Sequence, residues 1–508
     1  MPTELTTTEA KPDLPQQENH IRGFLHGAGL AAASLVFNGV LTLATAMVLA
    51  RWLRPAAFGT YSIALVAITL LGGLGAAGMD TTVARFVAFY SGSGEDDLIK
   101  PILRFGIRWA TIMSMVLATA CYLWLNVGSA LPAKLSPLRP LALYICVGTP
   151  LFALSLVLLQ AVLHLGAIKT RMVIEKAIQP LLRLVVPFAA VLLLHNRLLA
   201  AVSGILLASL FCVAAAGIVL DRMTAPLPPG TVAARRNIRT WSAFALPFAF
   251  QSMQQFVSSG LGIDIVLVGV LASLSESGIY AAAFRFTPLL TLVRVAMDYA
   301  FGPKVSLLYG KSDLAAIELL YRASSRLGLA VTLPLGIILA LWSSVFMTTF
   351  FGESYAGGAA ALAWLVVGCV ADSATGCNTT LLAMVGKPWL VFTNGLAGGL
   401  LTIVLCVQLI PQFGIAGAAF SVTVARVCVN GLATIELWKL EHVQPFTKDI
   451  WRLVVPSVCS LAMGLFLKNQ YSSRLQGGVI TLAIASAALL TIYVIGLRVA
   501  GMKWSQLV

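Results

Sequence analysis

Charge is scarce in this chain. Only 11% of its 508 residues are Asp, Glu, Lys or Arg, against roughly 25% in soluble domains, which excludes an ordinary soluble fold. Acidic residues are the scarcer sign, 20 against 34 basic ones. No pair of them sits on a sizeable polar loop, where a membrane glycosyltransferase or polymerase would keep its catalytic carboxylates. The five His are scattered, and the eight Cys (121, 146, 212, 369, 377, 406, 428, 459) fall inside apolar runs without a CxxC pair. They read as small buried hydrophobes, not as a metal site or a disulfide frame. A Walker A pattern is also missing. "YGKSD" at Tyr309 has Val305 where the first glycine must stand, so ATP is not expected as the direct energy source. No catalytic residue and no cofactor are expected.

What the chain has in excess is apolar length. It is 59% hydrophobic with mean hydropathy +0.90, and runs of about 20 apolar residues, enough to cross a bilayer, recur from end to end. Only helices and closed barrels satisfy their backbones in lipid. The runs are continuous rather than alternating, which excludes a barrel. About fourteen spans are predicted, near 24–50, 61–79, 105–127, 141–164, 172–194, 198–220, 241–271, 279–301, 324–351, 357–385, 388–410, 414–437, 451–468 and 477–499. Residues 1–22 are polar and precede the first run, so they read as a disordered cytosolic tail, not a cleaved signal.

The net charge of +14 fits basic residues crowded at cytosolic ends better than nucleic-acid binding. With both termini in the cytosol, seven of the 34 Lys and Arg lie outside: Arg51, Arg54, Lys134, Arg139, Arg197, Lys468 and Arg474. Five lie inside spans: Lys176, Arg183, Arg285, Arg294 and Arg426. The other 22 fall at the cytosolic side or at cytosolic span ends. Connections are short. The longest, around 221–240, contains "APLPPG" and "ARRNIR" and reads as a cytosolic linker.

The two halves match at an offset of 219: Gly59 with Gly278, Tyr61 with Tyr280, Arg85 with Lys304 and Tyr90 with Tyr309. Each copy holds six spans, an even number, so both insert the same way up and form a parallel repeat. The expected fold is an all-α polytopic membrane protein. It has a lobe over 23–220, the linker 221–240 and a lobe over 241–440, around a central cavity. Two further helices and a tail occupy 441–508.

"ARWLRPAAFGTYSIALVAI…GMDTTVARFVA" (Ala50 to Ala88), "IDIVLVGVLASLSESGIYAAAFR" (Ile263 to Arg285) and "GPKVSLLYG" (Gly302 to Gly310) together resemble bacterial polysaccharide flippases of the multidrug/oligosaccharidyl-lipid/polysaccharide superfamily. The resemblance covers most of 24–440. It implies a flippase of the bacterial inner membrane, serving O-antigen or exopolysaccharide export. It would move a polyprenyl-diphosphate-linked oligosaccharide to the outer leaflet by alternating access, beside polysaccharide polymerase and export machinery. The alternatives are a cation-coupled multidrug exporter of the same superfamily, a membrane glycosyltransferase or polymerase, and a lipid-II-type flippase for peptidoglycan.

Charged residues inside spans mark candidate sites. Arg294 and Asp298 are four apart and share a helix face, so a local ion pair is expected. Arg285 has no such partner in its own helix, and its repeat counterpart is Val66. Either it pairs with Asp264 or it holds a diphosphate, for which guanidinium geometry suits. Arg183, and then Arg426, are further candidates for that anion. Gln251, Gln255 and Ser258 form a polar stripe at helical spacing that either lines the sugar path or packs between helices. Asp264, Asp372 and Asn378 are candidates for coupling to Na+ or H+. Glu175 and Lys176 read as interfacial.

Overall fold

The computed structural model describes residues 14–127, 132–228, 237–245, 262–446, 451–470 and 479–499. Among them the regular structure is helical throughout. The first lobe comprises α1 (Leu14–Ala76), α2 (Met79–Ser93), α3 (Ile99–Asn126), α4 (Ala142–His164), α5 (Ile168–Met172), α6 (Gln179–Leu194) and α7 (Arg197–Thr224). The second comprises α8 (Ile263–Leu271), α9 (Leu274–Phe284), α10 (Thr287–Gly310), α11 (Leu314–Leu341), α12 (Ser343–Phe351), α13 (Ala359–Ala374), α14 (Asn378–Met384) and α15 (Pro388–Glu441). Two more helices, α16 (Trp451–Gln470) and α17 (Val479–Val499), follow.

Among the described residues, nine helices are long and apolar enough to cross a bilayer, or ten when α9 and α10 count together as one bent span. The distance from fourteen has local causes. α1 and α15 each carry two spans that meet at a non-helical residue, Arg54 (φ 63°) and Gly414 (φ 57°). The apolar part of α17, Ile484–Arg498, is short. Of span seven, only its start over 237–245 and its end, α8, lie within the described residues.

The repeat is visible in the backbone. In the first copy the helix breaks at Arg54. Pro55 follows it, and the residue before a proline is pushed out of helical geometry. In the second copy the break falls at Ala272 and Ser273, and Ser273 matches Arg54 at the offset of 219. Here an N-cap sets the restart: the Glu276 N–H donates to Ser273 Oγ at 3.1 Å, which satisfies one of the unpaired N–H groups of the helix's first turn. The two restarted helices cross at Gly59 and Gly278. A methyl group on Gly59 would lie 1.9 Å from the Leu274 carbonyl oxygen, and one on Gly278 would lie 2.0 Å from that of Pro55. Leu274 and Pro55 are themselves repeat counterparts, so the contact is reciprocal. The lobes are therefore related about an axis passing between these two glycines.

The two ends of the bundle differ. At the Arg54 end one continuous apolar core takes in both lobes, with Leu49, Phe58 and Tyr61 from the first and Tyr280, Phe286, Phe351 and Tyr355 from the second. At the opposite end each lobe has its own core, one around Val83, Tyr90 and Ile102, the other around Val305, Tyr321 and Leu381. α16 and α17 pack on α11, where Leu453, Tyr493 and Leu497 meet Leu329 and Ala330. Gly464 lets α16 approach Leu341 and Leu489, since a methyl there would sit 2.3 Å from Leu341 Cδ1.

Trp241 and Ala245, which head the expected second lobe, are buried in the first lobe's core. Trp241 Nε1 donates to Tyr90 Oη at 3.0 Å and the indole packs on Phe105. Arg85 lies 4.3 Å over the Phe244 ring. The chain therefore enters span seven from the first lobe and leaves it, at α8, packed on α9 and α15 of the second. Trp241→Ala is expected to destabilise the purified protein by about 3–5 kcal/mol, the usual cost of emptying a buried tryptophan site, as read by denaturant unfolding.

Candidate functional site

A cavity of about 270 Å³ opens beneath the glycine crossing. The first lobe builds nearly all of it. Asn38, Thr42, Thr45 and Leu49 lie along one face of the first half of α1, at three- and four-residue steps, the spacing that shares a helix face. Phe58, Tyr61, Leu65 and Thr69 do the same on its second half. The wall opposite comes from span five. A π-helical turn, Val173–Ile178, joins α5 to α6 there. Such turns admit an extra residue and are frequent at functional sites. Glu175, Lys176, Gln179 and Arg183 reach the cavity from this stretch. Glu175 and Lys176 are thus cavity residues rather than interfacial ones.

Among the described residues the second lobe contributes one lining residue, Arg285. It sits where span eight breaks. The Arg285 N–H reaches back only to the Ala282 carbonyl and the Phe286 N–H to that of Ala283, at 3.2 Å each. This tight turn stops α9, and α10 leaves bent by 42°. Span eight is therefore not the single helix over 279–301 read from the sequence. Its capped start at Ser273 lies twelve residues before Arg285, roughly 18 Å at 1.5 Å per residue. That is deeper than a start near 279 implied.

Arg183 and Arg285 share one property. The Nε of each is buried without a hydrogen-bond partner, and neither forms an ion pair among the described residues. The pairing of Arg285 with Asp264 that the sequence allowed is not formed. Asp264 is fully buried, and its Oδ2 accepts from Tyr280 Oη at 2.6 Å. Glu175 is already occupied, by Arg171 Nε at 2.9 Å and Lys176 Nζ at 2.6 Å. Among the described residues the lining thus holds three cations (Lys176, Arg183 and Arg285) against one carboxylate, a net of two positive charges. Two guanidinium forks with open donors suit a phosphate-type anion.

The remaining charged candidates gather elsewhere, inside the second lobe. Arg294 Nη1 bonds Asp298 Oδ2 at 2.8 Å, and its Nε reaches Asp372 Oδ2 at 2.9 Å. Thr380 Oγ1 donates to Asp298 at 2.8 Å, and Asn430 Nδ2 donates to Asp372 at 3.0 Å. Asn378 Nδ2 donates to the Asn430 carbonyl at 2.9 Å. Arg426 joins this cluster, donating to Cys369 Sγ at 3.2 Å, and does not line the cavity with Arg183 and Arg285. The coupling candidates are likewise divided. Asp372 and Asn378 connect through Asn430, while Asp264 stands apart with Tyr280. Gln251, Gln255 and Ser258 lie outside the described residues.

The helical spacing of Asn38, Thr42 and Thr45 is a sequence signal for this polar face. Nothing in the sequence beyond the repeat match with Tyr280 marks Tyr61, and that match does not point to a cavity wall.

Residues 24–300 match the polysaccharide biosynthesis protein family. The chain belongs to that family. Its fold is that of the multidrug/oligosaccharidyl-lipid/polysaccharide superfamily. The lipid II flippase MurJ in an inward closed conformation superposes with a TM-score of 0.71 at 13% identity, covering 92% of this chain and 97% of that one. An inward-facing multidrug resistance MATE family transporter of the superfamily gives 0.61 at 12% identity, over 80% and 99% of the two chains. A superfamily transporter from Pyrococcus furiosus, described as having a binding pocket of reverse polarity, gives 0.56 at 14%, over 80% and 94%. No curated protein matches the sequence. These structural neighbours are described as a flippase and as transporters. This member is a multi-pass membrane protein with a flippase- or transporter-type fold.

Proposed function

We propose that the protein flips a polyprenyl-diphosphate-linked oligosaccharide from the inner to the outer leaflet of a bacterial inner membrane, by alternating access, for polysaccharide export. One observation carries this reading: two arginines, one from each lobe, line a single cavity with their Nε groups unpaired. The diphosphate is held between Arg183 and Arg285, and its charge matches the net of two positive charges. The prenyl tail stays in lipid. Both termini lie in the cytosol, so the Arg54 end faces outward and the cargo enters from the opposite end. An inside-negative potential then favours outward movement of a dianion by roughly 4–5 kcal/mol at 100 mV. Coupling to Na+ or H+ would reset the empty carrier, and the export machinery would take the product.

A cationic drug is the cargo that this cavity suits least, because the lining is net positive. The protein reconstituted in liposomes with a fluorescent polyprenyl-diphosphate disaccharide tests the reading. The expected result is protein-dependent movement of the sugar across the bilayer, unaffected by cationic dyes. Transport of the dyes with no movement of the lipid-linked sugar would overturn it.

A further inference from the structure

Three side chains at the Arg54 end cross from one lobe to the other, and all three end on carbonyls in the last turn of a helix. Arg51, on α1, donates from Nε to the Phe350 carbonyl at 3.0 Å and from Nη2 to that of Thr349, at the end of α12. Lys134, on the short helical turn Ala133–Leu141, donates to the Leu271 carbonyl at 3.0 Å, the last residue of α8. Tyr355, from the second lobe, donates to the Ala50 carbonyl at 2.8 Å, in the turn before the Arg54 break. Last-turn carbonyls have no partner further along their own helix, and they carry the negative end of the helix dipole, which favours Lys and Arg. Each lobe therefore caps helices of the other.

Beneath these bonds lies the Gly59–Gly278 crossing, where backbone meets backbone. Next to Gly59 on the same helix are Phe58 and Tyr61, which line the cavity and stack at 6.0 Å, with Phe58 set edge-on to Tyr355 at 6.3 Å. The side chain of Tyr355 thus touches a residue of the cavity wall. At the other end the lobes have separate cores.

We infer that Arg51, Lys134 and Tyr355 form a latch, seated on Gly59 and Gly278, that holds the cavity shut toward the Arg54 face and opens it there when released. Side chains make the bonds, and the released carbonyls and donors pass to water or headgroups, so the latch can open without unwinding a helix. The glycines make the seat repeatable: two bare backbones meet without interlocking side chains. A methyl on either would overlap a carbonyl of the opposite lobe and hold the lobes apart. The latch acts with or without cargo. Only the statement that its face is the outer one rests on the orientation proposed above.

The test uses the full chain carrying Ala46→Cys as a cavity reporter, in right-side-out and inverted membrane vesicles. A membrane-impermeant maleimide labels it, and the labelling of the native cysteines is subtracted using the chain without the reporter. Gly59→Ala or Gly278→Ala is expected to raise the labelling rate at least about tenfold in right-side-out vesicles. The triple variant Arg51→Ala, Lys134→Ala, Tyr355→Phe, which removes only latch donors, is expected to raise it several-fold there. A triple variant that keeps the parent melting temperature and labels at the parent rate from both faces overturns the latch, even where a glycine variant fails to fold. A rise confined to inverted vesicles upholds the latch and overturns the proposed orientation instead.

Discussion

Arg285→Ala is expected to slow sugar-lipid flipping by roughly 10- to 150-fold while the protein keeps its melting temperature. The magnitude follows from the net worth of a hydrogen bond to a charged group, about 1.5–3 kcal/mol, at 1.4 kcal/mol per tenfold. Stability should hold because Arg285 has no ion-pair partner to orphan among the described residues. Its removal from a cavity with two other cations even relieves repulsion. Arg285→Lys should recover only part of the rate, since a point charge replaces a planar fork. Arg183→Ala should behave alike. Proteoliposome flipping rates beside thermal unfolding curves check the pair of statements, and a variant that transports at the parent rate removes Arg285 from the anion's path.

Arg294→Leu is expected to do the reverse, harming the fold first. Arg294 lies between two carboxylates, Asp298 and Asp372, at 2.8 and 2.9 Å. Taking the cation away leaves both acids facing each other inside a membrane lobe. Breaking a buried pair by removing one partner costs about 3–5 kcal/mol. The triple change Arg294→Leu, Asp298→Leu, Asp372→Leu removes all three charges together and should be far less destabilising than the single change. Thermal unfolding in detergent reads both. If the single variant is as stable as the parent, the cluster is not what ties α10 to α13.

These two arginines also mark how far sequence reaches. Arg285 was legible because the repeat supplied its comparison: Val66 occupies the matching place, so the span forms without the charge. Arg294 was legible only as half of an i, i+4 pair. Asp372 comes from another span, and no spacing rule brings α13 beside α10. Arg426 failed for the same reason. It is deep in its span, as expected, but faces Cys369 inside the lobe, and depth says nothing about direction. Glu175 and Lys176 lie near a span's start, a position that reads as interfacial in the sequence. The π-helical turn that reaches the cavity has no sequence signature. The Gly59–Gly278 match was plain as a repeat, whereas its role as the point where two backbones touch exists only once the lobes are docked. The fold was the more legible part because span length and charge asymmetry are local properties of the chain.

The central claim is that one dianion is held jointly by Arg183 and Arg285. A double-mutant cycle on equilibrium binding of a polyprenyl-diphosphate sugar to the purified protein tests it most directly. The account predicts that each single alanine variant weakens binding by at least about tenfold. It also predicts that the double variant loses less than the sum of the two, because both forks grip the same group. Parent-like affinity in the double variant would contradict the account.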